Sequence, residues 1–310
     1  MKLINTRLHI NKPAKILISL GLYLLSPMIV SASNIIDLDV KTVTVNKYNM
    51  SYVEQGKGSP LILVHGSLSD FRTWLPLFEE LSETNRTIAV SLRHFYPEKW
   101  DGKDNDLSLG QHANDLAAFI RTIDNGPVSL LGHSRGAAVA MLVASKHPAL
   151  IDKLILADPT PLASILPDSS DIQSGLNQRR QTIQEVMKQY KTGNIDGGLE
   201  VFVNYVAGPN AWEKTSQTRR SSLRSNALTQ SSLLNDINTP FNCNTAKKIT
   251  APVLLIAGDR SRKFYINMHK ALKPCLKNVS NAVIADAGHM MFHANPTAFV
   301  FEVQDFILPQ

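Results

Sequence analysis

The 310-residue sequence is poor in several features, and each shortage narrows its reading. It has only two cysteines, Cys243 and Cys275, too few for a small disulfide-built scaffold. In an exported chain the pair forms either a structural disulfide or two buried thiols, because spacing leaves the Cα separation open. Aromatic residues make up 7%, and no basic stripe is interleaved with them, which gives no argument for nucleic-acid binding. No His, Cys, Asp or Glu cluster has zinc-like spacing, so neither a metal nor any other cofactor is expected. No internal repeat and no low-complexity tract occurs. Beyond Ile16 to Val30 there is no second apolar span of membrane length.

What remains is the composition of a well-packed globular protein, 44% hydrophobic and 19% charged. The net charge of +6 is partly a property of the first 33 residues, which carry Lys2, Arg7, Lys12 and Lys15 and no acid; without them it is +2. Basic residues, then Ile16 to Val30, then Val30-Ser31-Ala32 with small residues at the cleavage positions, read as a signal peptide over residues 1–33. A periplasmic or secreted location follows as an expectation. No membrane span is expected once that segment is removed.

The chain is organised around Val128 to Ala140, VSLLGHSRGAAVA. An apolar strand-like run ends in Gly132-His133-Ser134-Arg135-Gly136, and a small-residue helical segment follows. This is G-x-S-x-G where it has mechanical meaning: a strand enters a helix through a tight turn that lifts the serine hydroxyl above the sheet. Glycine is required because a Cβ at either flank would strike the adjoining strand or helix. Backbone N–H groups at the new helix start can stabilise developing negative charge.

The remaining pattern is β-β-β-α-β-α-β-α-β up to Ala157. The order predicts an α/β fold with a mostly parallel, doubly wound sheet. Two short β-branched runs near residues 40–53 suggest an edge hairpin. Residues 161–250 contain no convincing strand and read as helices over Ile172 to Tyr190, Asp196 to Val206 and Trp212 to about Leu234. They are expected to form a helical cap inserted after Ala157, over the carboxyl ends of the strands where such folds bind ligands. Residues 34–160 and 251–310 then form the core. Alternation resumes with strands ending at Gly258-Asp259 and before Ala287-Gly288-His289.

Ser134, Asp259 and His289 each follow a strand end, in the order Ser, acid, His. Serine needs a base to take its proton, imidazole can do so near neutral pH, and a carboxylate fixes the imidazole tautomer. These three are the candidate catalytic residues, with Asp158, also past a strand end, as the rival acid. The oxyanion donors are expected to be the backbone N–H groups of Ser67 and Arg135. Phe71, Trp74 and Trp212 are candidates for a substrate pocket, as are Phe202 and Tyr205. Arg179, Arg180, Arg219, Arg220 and Arg224 could attract an acidic substrate, but a solvated helix face explains them more simply.

The segments Leu63-Val64-His65-Gly66-Ser67, Gly132 to Gly136, Ile256-Ala257-Gly258-Asp259, and Ala287-Gly288-His289 followed by Asn295-Pro296 resemble the α/β-hydrolase fold superfamily. The likeness is to its capped, serine-nucleophile members of the esterase and epoxide-hydrolase-like kind. That resemblance implies a hydrolase acting on a small to medium apolar ester or lactone through an acyl-serine intermediate. It also implies that His65 holds the oxyanion loop and that His133 points away from the site. Ser134 replaces the aspartate of haloalkane dehalogenases and most epoxide hydrolases, which argues against both activities. A cofactor-free C–C bond hydrolase or perhydrolase is the alternative, although Arg260-Ser261-Arg262-Lys263 departs from the C–C hydrolase pattern. A ligand-binding or receptor protein that retains the three residues is the second. The partner expected in each case is a small molecule; oligomeric state is not readable.

Overall fold

The structure is a computed structural model describing residues 39–103, 106–123 and 126–308. The leader expected over residues 1–33 lies outside the described residues. The first two strands, β1 (Lys41–Val45) and β2 (Tyr48–Gln55), form the expected hairpin. Its turn is only two residues, Asn46 and Lys47, both at positive φ (47° and 64°). Two-residue turns with both central residues left-handed match the twist of the paired strands, and Asn tolerates that region.

The alternating part follows. It runs β3 (Pro60–Val64), α1 (Leu75–Ser82), β4 (Arg86–Val90), α2 (Leu109–Ile123), β5 (Val128–His133), α3 (Arg135–Lys146) and β6 (Ile151–Ala157). Next come five helices, α4 (Ser170–Lys191), α5 (Ile195–Ala207), α6 (Gln217–Ser225), α7 (Leu233–Asp236) and α8 (Cys243–Ala246). The chain then returns through β7 (Val253–Gly258), α9 (Lys263–Leu272), β8 (Val279–Ile284), α10 (Met291–Ala294) and α11 (Pro296–Ile307). The eight strands lie in the order β1-β2-β4-β3-β5-β6-β7-β8. Pairing is parallel from β4 to β8, and β2 joins β4 antiparallel.

Central strands carry unbroken apolar runs because helices cover both faces. Every residue of β5 and of β7 is buried. Burying a Leu, Ile or Val side chain contributes about 2 kcal/mol, so runs such as Leu130-Leu131 and Leu254-Leu255-Ile256 hold the sheet centre in register. That fixes the strand ends, and with them the loops that carry the chemistry.

Helices α4 to α7 form the cap. Side chains satisfy the free N–H groups at three of their starts: Ser169 caps α4, Asn194 caps α5 and Ser216 caps α6. The cap has its own apolar core, including Ile183, Val186, Leu199, Phe202, Trp212 and Leu233, and Leu68 from the sheet side joins it. The continuous helix expected over Trp212 to Leu234 is broken. Helix α6 ends at Ser225, and an irregular 3-10 turn, Ala227–Ser232, precedes α7. Asn226 causes the break by bonding outside the helix. Its amide donates to Asp70 (2.7 Å) and its carbonyl oxygen accepts the Tyr96 N–H (2.8 Å).

The tail of the insertion belongs to the sheet rather than the cap: Phe241, Ala246 and Ile249 pack into the core around α3 and β7. Cys243 and Cys275 are disulfide-bonded, with Cα atoms 5.0 Å apart, tying α8 to the turn after α9. Among the described residues no helix is long and apolar enough to cross a membrane.

Candidate active site

Ser134 lies between β5 and α3 with φ 54° and ψ −115°, a strained conformation for a residue with a side chain. Its neighbours show why only glycine fits beside it. A Cβ on Gly132 would sit 2.6 Å from Ala137 Cα, and one on Gly136 would strike the carbonyls of Val64 and His65. The Ser134 N–H donates to Ala157 O (2.9 Å), which fastens the turn to the end of β6. The first N–H groups of α3, Arg135 included, have no intrahelical partner.

The Arg135 side chain takes no part in the site. Its guanidinium donates to Asp236 of α7 (2.6 Å) and to Leu107 O (2.5 Å) and lies 2.6 Å from His112 Nδ1, all in the interior. It bonds α3, the helix that follows Ser134, to the cap. Ser67 lines the cavity above Ser134. His65 supports that loop: its Nδ1 lies 2.8 Å from Gly66 O, and its Nε2 accepts the Leu92 N–H (3.0 Å). Burial pushes His65 down to about 4, so it stays neutral and keeps both bonds near neutral pH.

His289 is buried beside Ser134 in the same cavity. The expectation that Asp259 would partner it is corrected. His289 Nδ1 lies 3.2 Å from Asp158 Oδ2, and Asp158 is fully buried at the end of β6. Asp259 is exposed at the end of β7, where its carboxylate accepts the backbone N–H groups of Asp286 and Ala287, both at 3.0 Å. Those bonds hold its carboxyl below the usual carboxylate range. Asp259 therefore shapes the loop that delivers His289 without touching it. Strand β6 adjoins β5, whereas β7 is one strand further away, so the acid after β6 is the one set beside the serine turn.

Burial pushes the Asp158 carboxyl up to about 7, against the opposing pull of the Ser261 hydroxyl, which donates to Oδ2 at 2.5 Å, and of His269. His269 Nε2 stands 3.7 Å from the other oxygen. Burial, together with the Arg179 charge, pushes His289 down to about 3. The imidazole is thus neutral at physiological pH, with Nδ1–H directed at Asp158 and Nε2 left to accept a proton. Tyr265 stacks on the imidazole (ring centroids 3.8 Å apart, planes 8° apart) and lines the same cavity as Ser134. Sequence reasoning missed Tyr265 because an aromatic early in an amphipathic helix looks like core. His133, expected to point away, instead packs its ring 4.4 Å from that of His289 and reaches His289 O at 2.9 Å.

The cavity over these groups measures about 550 Å³. Its apolar wall comes chiefly from the cap: Phe202, Val203, Val206, Ala207 and Leu223. Phe71, Trp74 and Trp212 do not line it. Asp70 caps the turn Phe71–Trp74 and sends both rings inward, Trp74 against Phe292 (4.7 Å). Trp212 is in the cap core beneath the Arg220 guanidinium. Phe202 does reach the cavity, while Tyr205 stacks on Phe264 beside it.

Comparison with known proteins agrees with this architecture. A family profile described as alpha/beta hydrolase fold matches residues 59–296. The 2-(acetamidomethylene)succinate hydrolase of Mesorhizobium japonicum is 24% identical over 276 residues, covering 86% of this chain and 94% of that one. Among solved structures, the epoxide hydrolase CorEH superposes with a TM-score of 0.70 at 21% identity, over 87% of this chain and 98% of that one. A thermophilic esterase from Thermogutta terrifontis superposes with a TM-score of 0.67 at 22% identity, over 86% and 97%.

Proposed function

The chain belongs to the alpha/beta hydrolase fold family, and from that premise we propose that it hydrolyses an ester or lactone through an acyl-Ser134 intermediate. The observation that carries the reading is the placement of Ser134, on a strained turn at a helix start, in one cavity with a neutral His289 whose Nδ1 meets Asp158. Ser134 Oγ attacks the carbonyl carbon while His289 Nε2 takes its proton. Asp158 holds the imidazole by Nδ1 and stabilises the imidazolium that forms. The oxyanion is held by the N–H groups of Ser67 and Arg135; loss of one such donor typically costs about 3 kcal/mol of transition-state stabilisation. The imidazolium returns its proton to the leaving alcohol. A water then repeats the sequence on the acyl-enzyme, releasing the acid and restoring Ser134.

The chemistry distinguishes this reading from epoxide opening of the aspartate-nucleophile kind, because Ser134 stands where that carboxylate would be. The test is a time course with a short p-nitrophenyl ester, wild type beside Ser134→Ala. Multiple turnovers lost in the mutant, with a fluorophosphonate labelling wild type alone, are expected. Equal labelling of the mutant would remove Ser134 from the role. The proposal includes export, supported by the leader-like sequence of residues 1–33 and the Cys243–Cys275 disulfide, which suits an oxidising compartment. An N-terminus of the mature protein near Ser33 tests it.

A further inference from the structure

The cap arginines do not form one solvated face. Arg220 lies over the Trp212 ring, Arg224 pairs with Asp196, and Arg180 is partly exposed on the outside of α4. Arg179, one residue earlier on α4, turns inward. It is 4% exposed and lines the cavity that holds Ser134 and His289. Its Nη2 donates to Thr160 Oγ1 (3.1 Å), and its Nε is buried without a partner. Among the described residues no carboxylate is paired with it, and no Asp or Glu lines the cavity. Lys214 and Arg219 add two further cations to the same wall. Arg219 feels the partial compensation of Asp70, although that carboxylate is already taken by Arg72 (2.8 Å) and Asn226 (2.7 Å).

A buried guanidinium without a counter-charge is costly unless something in the protein's working cycle supplies one. Its planar fork suits a carboxylate, which can take two parallel hydrogen bonds from it. Apolar groups on α5, Phe202, Val203 and Val206, line the same cavity as Arg179 and Ser134, so it suits an aliphatic chain with an anionic end. We propose that the substrate is a carboxylate-bearing ester, a half-ester of a short dicarboxylic acid, whose free carboxylate is bound by Arg179 while its ester carbonyl lies at Ser134. This rests on the serine-hydrolase reading above and names its substrate class. Ser134 Oγ attacks the ester carbon, the alkoxy group leaves with the proton that His289 took from Ser134, and water then cleaves the acyl-serine bond, so the products are the dicarboxylate and an alcohol. Arg179 is a specificity-determining residue in this account, and the anionic end replaces the wholly apolar substrate that the sequence suggests.

The test compares monoethyl glutarate with ethyl pentanoate, which differ by a terminal carboxylate in place of a methyl group. In wild type kcat/KM for the half-ester exceeds that for the neutral ester by about 30-fold, the size expected of charge-assisted bonds in a cavity. Arg179→Met brings the ratio close to one. Arg179→Lys keeps part of it, and Arg180→Gln keeps all of it. Circular dichroism and Tm verify that each variant is folded. A wild-type ratio at or below one, with turnover still dependent on Ser134, overturns the anion site and leaves the hydrolase reading standing. If neither ester is turned over and no fluorophosphonate labels Ser134, the hydrolase reading falls. Glutarate titrated into Ser134→Ala by calorimetry then decides the anion site by itself. Saturable binding that disappears when Arg179→Met is added upholds the site, and its absence overturns it.

Discussion

Two neighbouring strands end in an aspartate, and the two ends behave differently. After β6, Asp158 is fully buried, held by the Ser261 hydroxyl and set against two imidazoles. After β7, Asp259 stands in solvent and spends its oxygens on two backbone N–H groups. Both lie in a sequence context suited to a catalytic acid. What separates them is which strand adjoins the serine-bearing strand, and what the chain puts overhead. A carboxylate can orient and charge-stabilise an imidazole strongly only where water is excluded, and Asp158 is fully buried whereas Asp259 is exposed.

The comparison breaks most visibly in activity. Asp158→Asn is expected to lower kcat by about 10⁴-fold, the scale seen when a buried acid no longer fixes the tautomer of its histidine. Asp259→Asn is expected to lower it less than about tenfold, through slack in the loop before His289. Steady-state hydrolysis by the purified variants measures both.

Stability should run the other way at the buried end. The folded pKa of Asp158 is raised to about 7, above the value of about 3.9 expected for an unfolded carboxyl. Between those values the folded state binds the extra proton, so this group's contribution to stability falls as pH rises toward 7 and stays unfavourable above it. Asp158→Asn removes that charge and is expected to leave Tm at pH 8 equal to or above that of wild type. A markedly lower Tm there would mean that the carboxylate holds the fold together. By contrast, Asp259→Ala removes the acceptor of two N–H groups and is expected to lower Tm slightly at any pH above the carboxylate range.

The pH profile sharpens the same contrast. An acid limb in kcat/KM is expected below about pH 7, as the Asp158–His289 pair loses its charge arrangement, with apparent values belonging to the pair. Ser261→Ala deletes a hydrogen bond that favours the ionised form of Asp158, so the limb should move to higher pH. Asp259→Asn should leave the limb in place, because a carboxyl held below its ordinary range does not titrate there.

Much of this site was legible in the chain because its parts are tied to strand ends. Apolar runs locate the strands, and the glycines at 132 and 136 mark where backbone must pass close to backbone. The acid was harder to read. Asp158 and Asp259 share the same local signature, and choosing between them needs strand order and tertiary burial, neither of which is a local property. The cap was legible as helical but not in detail. Asn226 ends α6 through bonds to Asp70 and Tyr96, 156 and 130 residues away. Arg179 and Arg180 are adjacent in sequence, and only the packing of α4 decides which enters the cavity. Phe71, Trp74 and Trp212 were misread for the same reason: aromatic rings state that they will be buried, not against what.

The most direct test of the difference between the two aspartates is the His289 Nδ1–H resonance, observed by proton NMR with ¹⁵N-labelled histidine and assigned by its loss in His289→Gln. The account predicts a downfield signal in wild type at pH 8 that persists in Asp259→Asn and disappears or shifts strongly upfield in Asp158→Asn. A signal abolished by Asp259→Asn and unmoved by Asp158→Asn would contradict it and return the acid to the end of β7.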